Sequence, residues 1–121
     1  MKETKKQILE GLEDLILKAK RMDNNTYEVH YKNRDLAIRL HHTDIITKKP
    51  NGDVVLDSGG WRTPTTKDRI SKHSGFRIMQ RNHVWYIGKE RQWDIKSPSF
   101  SMIEFYDGIT FNKKGKVKRS W

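Results

Sequence analysis

The segment "LILKAKRMDNNTYEVHYK", residues 15–32, decides the fold, because the period of its apolar residues changes inside it. Leading into it and through its first half, Ile8, Leu12, Leu15, Ile16, Ala19 and Met22 recur every three or four residues. That spacing predicts an amphipathic helix over 3–22, with Lys5, Lys6, Glu13 and Lys20 largely off the apolar stripe. Asn24 and Asn25 are its predicted end. From Thr26 the period becomes two, and Tyr27, Val29 and Tyr31 fall on one face of a strand. The helical stripe is assigned to packing on that sheet. The alternatives are a partner-binding surface or an interfacial membrane helix, and Glu10, Glu13 and Asp14 would oppose anionic lipid in the latter.

Strand signals continue downstream. "DLAIRLHHTDIIT" (35–47) supplies Leu36, Ile38 and Leu40, then Ile45 and Ile46. "PNGD" (50–53) predicts a hairpin turn, since Asn-Gly accommodates the positive φ that such turns need. "DVVLDS" (53–58) runs back and Gly59-Gly60 breaks it. A short helix is predicted next, with Pro64 at its entry, Thr65 or Thr66 as cap and "TKDRISKH" (66–73) as its body. "FRIMQ" (76–80) and "VWYIG" (84–88) read as strands about a compact "RNH" turn, and "ERQWDIKSPS" (90–99) as a loop. "FSMIEFY" (100–106) turns at Asp107-Gly108 into "ITFN" (109–112), a second hairpin signal.

The predicted fold class is therefore α+β. An N-terminal amphipathic helix packs on an antiparallel sheet of about five to seven short strands, with one short inserted helix. The 121 residues form one predicted domain, comprising a helix over 1–23, a β-rich core over 26–112 and a basic, flexible tail over 113–121.

Composition narrows the function. Four Trp, four Tyr and four Phe argue for a folded chain rather than a disordered one. No run is long enough to span a bilayer, and the first twenty residues lack a signal-peptide pattern, so no membrane association is expected. The absence of cysteine rules out disulfides and thiolate metal sites, and makes the cytoplasm the expected compartment. The net charge of +10 is unevenly placed. Residues 1–61 carry eleven Lys or Arg against ten Asp or Glu, whereas residues 62–121 carry fourteen against five. A one-sided positive field favours polyanionic partners, although a surface of solvated lysines gives the same count.

"SGGWRTPTTKDRIS" (58–71) is the densest local signal. Gly59-Gly60 permits close backbone approach, Thr63, Thr65 and Thr66 offer hydroxyls, and Arg62, Lys67 and Arg69 add charge at a helix start suited to anions. It is not a Walker loop, because the spaced glycines and the Gly-Lys-Ser/Thr ending are missing. The alternative is purely structural: a sharp corner with Trp61 plugging the core. Further on, aromatic residues interleave with Arg77, Arg81, Lys89 and Arg91, the mixture used by single-strand binders. Trp85 and Tyr86 point to opposite faces of one strand, so Trp93, in a polar loop, is the better stacking candidate. His41 and His42 would point apart on a strand, and His30 faces away from Tyr27, Val29 and Tyr31. No metal site, cofactor or catalytic constellation is predicted. The predicted nucleic-acid or anion-binding residues are Arg62, Thr65, Thr66, Lys67, Arg69, Arg77, Arg81, Arg91, Trp93, Lys113, Lys114 and Lys116.

The order "HHTDII", "NGDVVLDSGGWRTPTTKDRIS", "VWYIG" and "FYDGI" resembles a group of small phage-encoded proteins. The resemblance covers about residues 40–111 and includes Thr43, Asp44, Gly59, Gly60, Trp61, Thr63, Thr65, Thr66, Lys67, Arg69, Asp107 and Gly108. Ser71 departs from it, standing where that group usually has Asn. The resemblance implies a phage origin and no particular activity. Small phage proteins are often accessory or anti-defence factors. The leading expectation is a non-enzymatic phage protein that binds nucleic acid or a nucleoprotein complex through a basic face. The alternatives are an inhibitor of a host defence complex, such as a CRISPR effector, acting by direct protein contact, and a small nuclease or hydrolase.

Overall fold

The computed structural model describes residues 15–89 and 102–118. The described chain is mainly β, with strands β1 (Ile16–Asp23), β2 (Thr26–Tyr31), β3 (Leu36–Leu40), β4 (Thr43–Lys48) and β5 (Val54–Leu56), then helix α1 (Pro64–His73). Strands β6 (Phe76–Arg81), β7 (Val84–Lys89), β8 (Ile103–Glu104), β9 (Ile109–Phe111) and β10 (Val117–Lys118) follow. One antiparallel sheet has the order β1-β2-β3-β4-β5-β9-β10, and a second has the order β6-β7-β8.

This corrects the α+β expectation. A helix over 3–22 is incompatible with β1, in which Ala19 pairs with Val29 and Lys20 with Glu28. Residues 1–14 lie outside the described residues. Asn24-Asn25 does not end a helix but closes a two-residue hairpin, with Asn25 at φ 53 and Asp23 Oδ1 accepting the Asn24 N–H at 2.8 Å. Pairing with β2 overrides a helical spacing that β1 has no surface to bury, since six of its eight residues are exposed. Lys18, Lys20 and Arg21 charge this edge strand, which disfavours pairing with a further chain.

The core lies between the two sheets and α1. Alternation puts Ile38 and Leu40 of β3 on the face toward Ile78, Trp85 and Ile87 of the second sheet. A bulge opposite Ile38/Arg39 lets consecutive Ile45 and Ile46 both enter this core, at 1% and 0% exposure. Phe76 stacks on Phe111 across the sheets, with ring centroids 4.1 Å apart, and Trp85 meets Phe105 at 5.6 Å. From α1, the fully buried Ile70 reaches the same cluster, a burial worth about 1.5–3 kcal/mol.

The α1 cap is Thr63 rather than Thr65 or Thr66. Thr63 is extended (φ −104, ψ 162) and its Oγ1 accepts the Thr66 N–H at 3.2 Å. Pro64 explains the shift: its ring presets the first helical φ and drives the preceding residue out of the helical region. At the other end, the Ser71 hydroxyl accepts the Ile78 N–H at 3.0 Å, so the serine at this position couples α1 to β6.

Two further turns differ from expectation. Asp107-Gly108 does not join neighbouring strands. It carries the chain from the second sheet back to the first, where Gly108 N–H donates to Leu56 O at 2.8 Å. Residues 113–118, expected as part of a tail, close a hairpin onto β9, with Val117 opposite Phe111 and Asn112 Oδ1 accepting from Lys114 N and Lys116 N.

Candidate functional site

The two ends of the large sheet differ in chemistry. At one end, β3 and β4 are joined by His41-His42, and β5 runs out into the Gly-Gly-Trp corner. Leu40 pairs with Thr43, so the histidines form a two-residue turn with His41 at φ 55, not a continuous strand. Gly59 and Gly60 are both left-handed, at φ 63 and 83. Gly59 lies so close to β4 that an added Cβ would come within 2.5 Å of Thr43 Oγ1. Only glycine meets both demands. Asp107 Oδ1 accepts both the Ser58 N–H and the Ser58 hydroxyl at 2.7 Å, anchoring the corner to the connection between β8 and β9.

Trp61 is not the predicted core plug. It is 69% exposed, while Trp85 and Phe105 fill the core beneath the corner. Arg62 covers those rings, with its guanidinium carbon 5.5 Å from the Trp85 centroid and 5.2 Å from Phe105, a cation–π arrangement. The Ser58–Trp61 turn, closed by the Trp61 backbone N–H donating to Ser58 O at 3.0 Å, leaves the indole in solvent. Between this corner and the β3–β4 turn lies a cavity of about 340 Å³. His41, His42 and Thr43 line one side, Ser58, Trp61 and Thr66 the other, with Leu40 and Ile45 completing the wall.

The opposite end of the sheet is basic. The registers Leu36↔Lys48, Lys48↔Val54 and Val54↔Phe111 bring the β2–β3, β4–β5 and β9–β10 turns side by side. These turns carry Lys32 and Arg34, then Lys49, then Lys113, Lys114 and Lys116. Strand spacing puts neighbouring turns roughly 10 Å apart and the outer two about 20 Å apart. The last two turns touch: a Cβ on Gly52 would meet Lys113 Cβ at 2.6 Å. Lys49 is bonded to Asp35 at 3.3 Å, and Asp53 to Lys118 at 2.7 Å. Lys32, Arg34, Lys113 and Lys116 are exposed and form no ion pair among the described residues.

The sequence-predicted residues divide accordingly. Lys113, Lys114 and Lys116 stand on this ridge. Arg77 and Arg81 are exposed on the outer face of the second sheet, where Met79 pairs with Tyr86. Thr65 is exposed on the first turn of α1, whereas Thr66 is buried and bonded to Thr63. Lys67 reaches Gln80 Oε1 at 3.3 Å. Arg69 is a structural strut, donating to Thr26 Oγ1 at 3.1 Å and paired with Asp68 and Asp23. Arg91 and Trp93 lie outside the described residues. Sequence reading missed Lys32 and Arg34, and set His41-His42 aside by treating them as strand neighbours that point apart, whereas they form a turn. Each sits in a tight connector carrying a left-handed residue, Arg34 at φ 75 and His41 at φ 55, and those short polar connectors were the available signal.

Asp44 has a structural partner on the sheet face away from the core. Its carboxylate accepts from Arg39 Nε at 2.7 Å and from the Tyr31 hydroxyl at 2.5 Å, and Arg39 also donates to the Tyr31 oxygen at 2.7 Å. Burial, reinforced by the bond to Asp44 and its charge, pushes the Tyr31 phenol up to about 12. Among the described residues no group of three or more His, Cys, Asp or Glu is placed to hold a metal ion, and no helix is long and apolar enough to cross a membrane.

The profile of the Kyanoviridae Gp96 protein family matches residues 1–112 of this chain. No curated protein and no solved structure matches it. The chain belongs to the Kyanoviridae Gp96 protein family, and its phage origin follows from that membership.

Proposed function

We propose that this phage family member is a non-enzymatic accessory protein that binds nucleic acid, free or in a nucleoprotein complex, inside the infected host cell. The observation that carries the reading is the ridge of three adjacent turns. It gathers Lys32, Arg34, Lys49, Lys113, Lys114 and Lys116 from distant parts of the sequence onto one end of the sheet. Both acidic residues in those turns, Asp35 and Asp53, are already ion-paired. Exposed cations spread over about 20 Å suit a phosphate backbone, which rewards each neutralised phosphate by counterion release. The overall charge of +10 adds long-range attraction.

Fluorescence anisotropy with labelled single-stranded DNA, single-stranded RNA and duplex at low salt tests the reading. Binding that weakens steeply as salt is added is expected. Absence of binding to all three would overturn it. In that event, a host protein retained on the immobilised phage protein after nuclease treatment would identify direct protein contact as the mode of action.

A further inference from the structure

We propose that the cavity between the His41-His42 turn and the Gly59-Gly60-Trp61 corner holds one unpaired nucleobase, stacked on the Trp61 indole and hydrogen-bonded by a histidine. This rests in part on the nucleic-acid reading and adds a site at the opposite end of the sheet from the basic ridge. Three observations converge. Trp61 is 69% exposed although it sits in a tightly determined corner, so a large apolar ring is held in solvent by backbone geometry. That ring faces a cavity of about 340 Å³, within the size range of small-ligand sites (roughly 300–1,000 Å³). His41 and His42, which line the same cavity, each supply a ring N–H donor and a ring nitrogen acceptor in the neutral form.

This combination selects a planar heterocycle with polar edges. Among the described residues the lining is mostly apolar in area and contains no carboxylate or ammonium group. The phosphates of a bound nucleotide would therefore stay outside, where the protein's net positive charge favours them. A base in a duplex cannot enter such a cavity without leaving its stack, so the site discriminates for single strands. Strand β3 separates ridge and cavity by five residues, roughly 17 Å, a span that several nucleotides of a single strand cover.

The test is a backbone-amide NMR titration of the full chain with nucleoside monophosphates, with ribose 5-phosphate, and with short single-stranded and duplex oligonucleotides. Monophosphates and single strands are expected to shift the amides of residues 41–43 and 58–61, and ribose 5-phosphate is expected to leave them unmoved. Trp61→Ala removes an exposed side chain and keeps the fold. It is expected to weaken single-strand binding about 5-fold to 150-fold and to leave duplex binding unchanged. His42→Ala is expected to weaken single-strand binding in the same selective way.

Shifts confined to the ridge amides, or equal shifts with ribose 5-phosphate, would overturn the base pocket while leaving the proposed function standing. Shifts at the pocket with monophosphates, in a protein that binds no oligonucleotide, would support the pocket and overturn the proposed function.

Discussion

Gly59→Ala is expected to destabilise the protein by about 2–5 kcal/mol, and the structure separates that cost into two parts. Gly59 has φ +63, and placing an L-residue in the left-handed region costs roughly 1–2 kcal/mol. Its added Cβ would stand 2.5 Å from Thr43 Oγ1 and 2.7 Å from Thr43 Cγ2, and overpacking of this kind costs about 1–3 kcal/mol more. Gly60→Ala isolates the first part, because Gly60 has φ +83 and no atom of the described residues lies within 4 Å of its Cβ position. It is expected to cost only about 1–2 kcal/mol. Thr43→Ala deletes the two closest atoms and leaves only Cβ, at 3.1 Å, so in that background Gly59→Ala retains the backbone cost and a small remainder of the overpacking cost. A double-mutant cycle should therefore return a coupling of about 1–3 kcal/mol between positions 43 and 59. Urea unfolding followed by circular dichroism measures all four species, with unchanged m-values validating the comparison. Equal costs for Gly59→Ala and Gly60→Ala, with no coupling to Thr43, would refute the close approach of corner and strand.

Other consequences follow from the buried polar groups. The Tyr31 phenol is raised from an ordinary value of 10 to about 12, so its contribution to stability is fully present below pH 10 and is lost as pH rises through about 12. The phenolate absorbance titration of wild type minus that of Tyr31→Phe should show one step near pH 12, and a step near pH 10 would contradict the network. Burial, aided by the charges of Lys72 and Arg69, holds the His73 imidazole below its ordinary value, while Asp23 and Asp68 partly oppose the shift. Its Nε2 is buried without a hydrogen-bond partner among the described residues. Stability linked to His73 is present above pH 6.5 and is lost as pH falls through the depressed value. His73→Gln is therefore expected to flatten the acid limb of a pH–stability curve. Asp107→Ala leaves the N–H and hydroxyl of the buried Ser58 without their acceptor and is expected to cost about 1–3 kcal/mol per donor in the same urea assay.

Most strand positions were legible because alternation and turn chemistry agree from residue 26 onward. "PNGD" and "RNH" both read as turns, and Gly52, Asn82 and His83 take the positive φ that hairpins require. The N-terminal segment was not legible. Ile16, Ala19 and Met22 satisfy a helical period, yet the Asn24-Asn25 turn and the available edge of β2 decide its state. Helix periodicity reports a face to bury, and here the described part of that face is mostly left in solvent.

The candidate sites were legible only in part. A count of charge by chain halves credits Arg69, which the fold consumes in ion pairs with Asp23 and Asp68, and overlooks Lys32 and Arg34. Their neighbours on the ridge come from strands far apart in sequence, and only sheet order reveals that. Trp61 reads as core by residue type. Two consecutive left-handed glycines send it outward, and neither composition nor period encodes that direction.

The most direct test of the central claim is the salt dependence of nucleic-acid affinity in wild type and in Lys113→Ala/Lys114→Ala/Lys116→Ala. All three side chains are exposed in the β9–β10 turn, so the fold should survive their loss. Each phosphate contact contributes a slope of roughly 0.7 in log affinity against log salt for a single strand, so loss of three should flatten the line by about 2. A slope that is the same in both proteins would contradict the ridge as the nucleic-acid interface.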